Sequence, residues 1–233
     1  MKRLFKGALI LLLVAPVLFA ALAWITLKPS EQNLTLPPGL VAADSAQGGA
    51  FLQTAEYKAD YEALNSAYVP QKTMSYCGVA SSVTVLKALG RESTQWDFFT
   101  DATSDVRSRL QVTFGGMTLG QLDGLLSAHG LVTQSLHGDE LSLDEFRTIV
   151  LKNLATSGDY LLVNYQRKAL DQTGSGHISP VAAYNASADL VLVMDTADFK
   201  YPYTWVPLER LYDALHDVDP ASGRSRGILE VAL

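Results

Sequence analysis

Three short apolar runs in the second half of the chain constrain its fold most. They cover residues 159–165 (DYLLVNY), 178–184 (ISPVAAY) and 190–195 (LVLVMD). Turn signals separate them, Gly-Ser-Gly at 174–176 and Asn-Ala-Ser at 185–187. Apolar, β-prone runs bounded by such turns indicate strands, and the last two have the spacing of a hairpin. We therefore predict an antiparallel sheet.

The residues before this sheet have helical spacing instead. Ser142, with Glu145 three residues later, is a capping box that predicts a helix start, and Gly130 is typical of a helix end. Helices before an antiparallel sheet predict an α+β fold, with an N-terminal helical part followed by the sheet. The predicted helices cover residues 51–67, 77–89, 118–128, 142–154 and 208–215, with shorter pieces at 96–99 and 106–110 and further strands at 131–136 and 227–233.

Composition limits both the architecture and the partners. The 233 residues are 48% hydrophobic and 18% charged, enough for one sizeable core. A net charge of −6 gives no electrostatic support to a nucleic-acid partner. The sequence contains no internal repeat, phosphate-binding glycine loop or cluster of metal ligands, so we expect no structural metal and no bound cofactor.

The first residues have the order of an export signal. Lys2, Arg3 and Lys6 precede an uncharged run at 7–27, which is long enough to span a bilayer. Ala-Leu-Ala at 21–23 would suit cleavage, whereas the length of the run suits an uncleaved anchor. Both alternatives stay open, and in both the positive charges remain inside.

This order divides the chain into three parts. We assign residues 1–29 to a signal peptide or signal anchor, 30–50 to a linker rich in proline and glycine, and 51–233 to a single folded domain. The body is expected to be exported, periplasmic or otherwise extracytoplasmic. It would contact the membrane through residues 7–27 if these are not removed.

Cys77, the only cysteine of the chain, lies at the predicted start of a helix. There the free backbone N–H groups and the helix dipole favour a thiolate, which is the nucleophilic form. A lone cysteine cannot form an intramolecular disulfide, so an exported chain needs another reason to keep one. A small buried hydrophobic residue and a nucleophile both remain possible at this point.

A nucleophilic thiol needs a base, and the base needs an acceptor on its far nitrogen. Of the four histidines, His177 follows a glycine-rich turn at the mouth of a strand, while the other three, His129, His137 and His216, have structural or solvated surroundings. A hairpin would bring Asp195 close to His177, although a turn-forming aspartate is the alternative.

Several motifs in a fixed order resemble the phytochelatin synthase family, from about residue 71 to the C-terminus. They are Gln71, the Tyr-Cys-Gly around Cys77, residues 172–185 (QTGSGHISPVAAYN), and Asp195 followed by FKYP at 199–202 and WVPL at 205–208.

The resemblance implies a papain-like cysteine peptidase fold with a Cys77, His177 and Asp195 triad and with Gln71 in the oxyanion hole. It also implies substrate binding by Asn164, Arg167, Gly176 and Arg226. Arginine holds a carboxylate bidentately, which makes the two arginines plausible clamps.

The implied activity is acyl transfer on glutathione through a γ-glutamylcysteinyl thioester. Water would give γ-glutamylcysteine and glycine, and a second glutathione would give a phytochelatin, a heavy-metal-binding peptide. A thiophilic metal would act as a glutathione thiolate complex. Plant members continue into a cysteine-rich region and tend to have arginine where this chain has Asp198, so we expect hydrolysis to dominate. Transpeptidation, a general peptidase, and a non-catalytic, membrane-attached thiol- or metal-binding module are the alternatives.

Overall fold

A seven-stranded antiparallel sheet forms the centre of the computed structural model, which describes residues 27–233. The strands lie in the order β1-β6-β5-β4-β3-β9-β2, and β7 and β8 form a separate hairpin. The strands are β1 Val41–Ala42, β2 Val132–His137, β3 Tyr160–Gln166, β4 Gly176–Asn185, β5 Leu190–Val193, β6 Thr204–Pro207, β7 Val218–Asp219, β8 Arg224–Ser225 and β9 Gly227–Ala232.

Helices cover both faces of this sheet. Side-chain caps from Ser45, Thr100, Ser108, Thr118 and Ser142 fix where five of them begin. The helices are α1 Ala46–Thr54, α2 Tyr61–Ala67, α3 Cys77–Ala88, α4 Asp101–Ser104, α5 Arg109–Gly115, α6 Leu119–Ala128, α7 Leu143–Ala155 and α8 Leu208–Leu215, with short 3₁₀ turns at Gly138–Glu140 and Arg167–Leu170.

Burial on both faces explains why the strands read as continuous apolar runs. In β5, Leu190 and Leu192 pack into the core under α3 and α6, while Val191 and Val193 pack into the core under α7 and α8. Adjacent side chains of a strand point to opposite faces, so each face needs its own apolar set. The site is therefore built on a strand system that is held from both sides.

The main architectural predictions are confirmed. The fold is α+β, strands β4 and β5 form the expected antiparallel hairpin, and the capping box of Ser142 and Glu145 starts α7. Helix α8 has the predicted bounds. Residues 1–26, which hold most of the predicted signal segment, lie outside the described part of the chain.

Two predictions about the N-terminal half are wrong. The single helix predicted for 51–67 is two helices, because the chain becomes extended at Ala55 and Tyr57 pairs through its backbone with Tyr184 of β4. Residues 30–50 are not a linker, since they contain β1 and the start of α1, and Gln32 N–H donates to the carbonyl of Phe199.

The two short helical pieces also differ from the prediction. Residues 96–99 form turns, and the helix expected at 106–110 begins only at Arg109, after the cap of Ser108. In the part of the chain from Leu27 onward, no helix has both the length and the apolar composition needed to cross a bilayer.

Candidate active site

Cys77 is the first residue of α3 and is partly exposed. Its sulfur lies within reach of the His177 ring and of the backbone N–H groups of Gly78 and Ile178. The Ser81 hydroxyl donates to the carbonyls of Cys77 and Ile178, at 2.9 and 3.1 Å. Helix α3 is thereby fastened to β4, the strand that carries the histidine.

Glycine at position 78 permits this close approach of helix and strand. A Cβ atom there would lie 2.5 Å from the Met117 sulfur and 3.1 Å from the Ile178 side chain. A larger residue at position 78 would therefore displace the flexible Met117 side chain, which lines the cleft, and would press on the Ile178 side chain of β4.

The β4–β5 hairpin brings His177 and Asp195 together. Nε2 of His177 lies 2.8 Å from Oδ1 of Asp195, and both side chains are buried. The oxygen lies off the direction of the ring N–H, so this contact has the distance of an ion pair without the alignment of a hydrogen bond. With Nε2 facing the carboxylate, Nδ1 is the ring nitrogen left for the thiol.

Arg167 does not lie where a substrate clamp was expected. It is 2% exposed, and its Nη2 donates to Oδ1 of Asp195 at 2.7 Å. Its Nη1 donates to Oε1 of Gln172 at 2.9 Å. A guanidinium held by two buried partners is not free to bind a substrate carboxylate, and its position instead supports the triad carboxylate.

The electrostatics of the three groups favour a charged pair. Burial would raise the pKa of Asp195, but the Arg167 and His177 charges outweigh it and hold that pKa below its usual range. Burial would likewise raise the pKa of Cys77, yet its contact with His177 lowers it. The pKa of His177 is raised, because Asp195 and Cys77 outweigh burial and the repulsion from Arg167. These directions favour thiolate and imidazolium.

Gln71 lies in the loop before Cys77, but its amide does not point into the cleft. Its Nε2 donates to the carbonyls of Thr73 and Met74, at 2.9 and 3.1 Å. Its backbone N–H donates to the carbonyl of Thr196, next to Asp195. In this arrangement Gln71 shapes the loop, and its role as an oxyanion donor stays a prediction.

A cleft of about 350 Å³ opens over Cys77 and His177 and brings three predicted substrate-binding residues together. Nη1 of Arg226 donates to Oδ1 of Asn164 at 2.9 Å. Gly176 makes room for this guanidinium, because a Cβ there would lie 2.1 Å from Arg226 Nη1. The buried Nδ2 of Asn164 has no hydrogen-bond partner, whereas Nε of Arg226 makes no hydrogen bond but lies 3.6 Å from Oδ1 of Asp217, within ion-pair distance.

The remaining histidines make structural contacts. His129 stacks on Phe98 and contacts the Phe98 carbonyl through Nε2 at 2.9 Å. His137 is buried against the Ser225 carbonyl rather than solvated in a turn. His216 contacts the Tyr212 carbonyl at 3.0 Å. Within residues 27–233, no three His, Cys, Asp or Glu side chains are grouped so that they could hold a metal ion.

Sequence reasoning missed several residues that line the cleft. Met74 and Met117 flank Cys77, and residues 219–221 form the wall near Arg226. The buried pairing of Arg167 was missed as well. A methionine or a turn carries no local signal of a binding site, whereas a charged residue just after an apolar strand does hint at a buried partner.

Alkylation of Cys77 tests this charge arrangement without a substrate. We expect iodoacetamide to react at pH values below the ordinary range of a thiol, because the imidazolium of His177 favours the thiolate. In His177→Ala the cation is absent, so the pKa of Cys77 rises and the midpoint of the rate profile moves to higher pH. Mass spectrometry against pH measures both profiles, and superimposable profiles would contradict the arrangement.

A cysteine at a helix start that faces a histidine and an aspartate from an antiparallel sheet defines the papain-like class of cysteine-dependent proteins. The family model described as phytochelatin synthase matches residues 31–228, so this chain belongs to the phytochelatin synthase family.

Curated relatives in this family come from plants and yeast. Glutathione gamma-glutamylcysteinyltransferase 3 of Lotus japonicus is 35% identical over 175 residues, which are 72% of this chain and 36% of the relative. Glutathione gamma-glutamylcysteinyltransferase 1 of Arabidopsis thaliana is 32% identical over 87% of this chain and 43% of its own. Glutathione gamma-glutamylcysteinyltransferase of Schizosaccharomyces pombe is 31% identical over 86% of this chain and 51% of its own. The chain thus spans a third to a half of these relatives.

Solved structures of two peptidases are similar at lower identity. The peptidase domain of Streptococcus ComA is 15% identical, with a TM-score of 0.45 over 70% of this chain and 96% of its own. A C39-like peptidase from Bacillus anthracis is also 15% identical, with a TM-score of 0.46 over 73% and 96%.

Proposed function

We propose that this protein is an acyl-transfer enzyme that cleaves the Cys–Gly bond of glutathione. The observation that carries the proposal is the Arg226 guanidinium, which lines the same cleft as Cys77 and His177 beside Asn164, whose buried Nδ2 has no hydrogen-bond partner. A buried cation and an amide N–H suit a substrate carboxylate. The curated relatives are named for the transfer of a γ-glutamylcysteinyl group, and glutathione carries such a carboxylate at its γ-glutamyl end.

The proposed reaction has two steps on one thiol. Cys77 Sγ attacks the carbonyl carbon of the Cys–Gly amide, and the C–N bond breaks as the glycine nitrogen takes a proton from His177. A γ-glutamylcysteinyl thioester then remains on Cys77. Water attacks the thioester while His177 accepts its proton, which releases γ-glutamylcysteine and restores the thiol. Asp195 orients the imidazole and stabilises its charged form throughout.

We further propose that water is the main acceptor, with transpeptidation to phytochelatins as the alternative. Burial raises the pKa of Asp198, and nearby Glu31 adds to this effect, so two carboxyl groups lie here, whereas the charge of Asp195 is balanced by Arg167. At neutral pH an anionic second glutathione would be repelled from such surroundings. Water carries no charge and is not affected.

Product analysis tests the reaction and its acceptor. With glutathione, we expect the full chain in detergent to release glycine and γ-glutamylcysteine as the main products, separated by mass. In Asp198→Arg the repulsion becomes an attraction, so the fraction of longer thiol peptides should increase severalfold. Asp213→Arg, an equal charge change on an exposed site of α8, should leave the ratio unchanged. Abundant longer peptides from the unmodified chain would contradict the preference for water.

The sequence of the first residues supports an extracytoplasmic location of the body and its attachment to the membrane. The body lies outside the cytoplasm, and residues 7–27 attach it to the membrane when they are retained.

A thiophilic metal reaches the cleft as part of a glutathione thiolate complex, and thus as substrate. Repeating the product analysis with and without such a metal would test this last point.

A further inference from the structure

We propose that an exposed apolar surface beside the cleft docks onto the lipid bilayer. This inference rests on the proposed membrane attachment of residues 7–27. The surface, called the apolar patch below, consists of five side chains that are each at least a third exposed. They are Met74 (42%), Trp96 (67%), Val106 (39%), Leu110 (69%) and Phe114 (64%).

Contacts between neighbouring segments make the patch continuous. The guanidinium of Arg109 lies 3.7 Å from the centre of the Trp96 ring and donates to the Trp96 carbonyl at 2.7 Å, which joins this turn to α5. Leu110 and Phe114 are one helical turn apart on α5. The Ser75 hydroxyl donates to the Thr113 carbonyl at 2.9 Å, which joins the loop that carries Met74 to the helix that carries Phe114.

The chain itself indicates what covers the patch. The backbone N–H of Met74 donates to the carbonyl of Leu27 at 3.0 Å, so the last residue of the apolar run 7–27 lies at the edge of the patch. Residues 7–26 carry no charge. If they insert in a bilayer, the patch is held within a few residues of its surface, and an exposed apolar surface there would enter the interface.

The rim of the patch suits the headgroup region. Lys28 and Lys72 are exposed, and Arg107 and Arg109 lie beside the apolar side chains. Tryptophan and basic residues with long apolar stems are favoured at a membrane interface, because each combines an apolar body with a polar end. The arginine that stacks on Trp96 presents both features in one contact.

Docking would place the cleft next to the headgroups. Met74 belongs to the patch and also lines the cleft, and Gly115 and Gly116 of the cleft follow Phe114 directly. The substrate would therefore enter along the membrane surface rather than from open solvent. Nothing in the proposed chemistry requires this, so docking can fail while the activity remains.

Spin labels can measure the docking directly. In the full chain with Cys77→Ser, a nitroxide is attached at Leu110→Cys or Phe114→Cys, and the protein is reconstituted in phosphatidylcholine vesicles. The measured quantity is the ratio of two collision rates of the label, that with oxygen, which concentrates in lipid, and that with a nickel complex, which stays in water. We expect this ratio to be severalfold higher for both labels than for a label in water. Val132→Cys is the matched control, because Val132 is 66% exposed and lies on the edge strand β2 outside the patch.

Each other outcome overturns the docking. Labels at 110 and 114 that behave like the one at 132 would place the patch in water. Labels shielded from both relaxing agents would mean that protein covers the patch, either a second copy or residues 7–26 folded back. Flotation of the same vesicles distinguishes failure of docking from failure of membrane attachment. Protein that floats while its labels remain in water is attached through residues 7–27 but not docked. Protein that does not float is not attached, and the patch is then not docked.

Discussion

Replacing Cys77 with serine is expected to lower the rate of glycine release from glutathione by about 10⁴-fold or more. The pKa of a serine hydroxyl is far above that of a thiol, and the contacts that lower the pKa of Cys77 cannot make the hydroxyl anionic at neutral pH. The serine hydroxyl is smaller than the thiol and creates no clash, so α3 should keep its place against β4. Glycine release is followed by mass over time, in the full chain and in the variant.

Ser82→Ala is the matched control for this variant. Ser82 is buried one turn further along α3, and its hydroxyl donates only to the Gly78 carbonyl within the helix. We expect its rate to stay within a few-fold of the unmodified chain. A Cys77→Ser protein that released glycine at the unmodified rate would rule out the thiol as nucleophile. An unmodified chain that bound glutathione without releasing glycine would favour a non-catalytic binding module instead.

The parts of the fold that could be predicted are those with local causes. The start of α7 depends on the exchange of hydrogen bonds between Ser142 and Glu145, three residues apart. The β4–β5 hairpin depends on two apolar runs and the short polar turn between them. Each of these features is formed by residues that are close together in the chain, so the sequence pattern is enough to predict it.

The parts that were missed depend on distant partners. Strand β6, Thr204–Pro207, lies among prolines that read as a loop, and it is a strand because β5 and β1 pair with its two edges. The break after α1 follows from the pairing of Tyr57 with Tyr184. Residues 30–50 were predicted to be a linker for the same reason. Their prolines and glycines indicate turns in the local backbone, but they do not show that β1 pairs with the edge of a distant strand.

The candidate active site likewise contains residues that could be predicted from the sequence and residues that could not. Cys77 at a helix start and Asp195 after an apolar strand are visible in the sequence, and the resemblance to the family joins them to His177. Substrate binding by Arg167 was expected from the resemblance, and the sequence itself does not distinguish an exposed arginine from a buried one. Only the fold shows that the 3₁₀ turn at Arg167–Leu170 directs this side chain to Asp195. The structure thus separates an arginine that supports the triad from Arg226, which faces the cleft.

Replacing Arg167 with methionine is expected to lower the free energy of unfolding by about 3–5 kcal/mol. Methionine fills much of the same volume, but it leaves the buried Asp195 carboxylate without the stronger of its two cationic partners, with only His177 remaining. Oδ2 of Asp195 already has no hydrogen-bond partner, so the carboxylate has few other contacts that could compensate. Denaturant titration of the full chain in detergent, followed by the fluorescence of its tryptophans, measures the change.

Arg210→Met is the matched control, because Arg210 also pairs with an aspartate, Asp171, at 3.1 Å, but the aspartate is 78% exposed. A pair in contact with water contributes about 0–1 kcal/mol, so the same substitution there should cost little.

Loss of Arg167 should also raise the pKa of Asp195, since burial then acts with less opposition. Loss of Arg167 also removes the repulsion that lowers the pKa of His177, so the imidazolium loses support only at acid pH, where the Asp195 carboxylate becomes protonated. There, alkylation of Cys77 should decline at a higher pH than in the unmodified chain. Equal losses of stability in the two methionine variants, with unchanged alkylation profiles, would contradict the role of Arg167 as the residue that keeps Asp195 charged and in position.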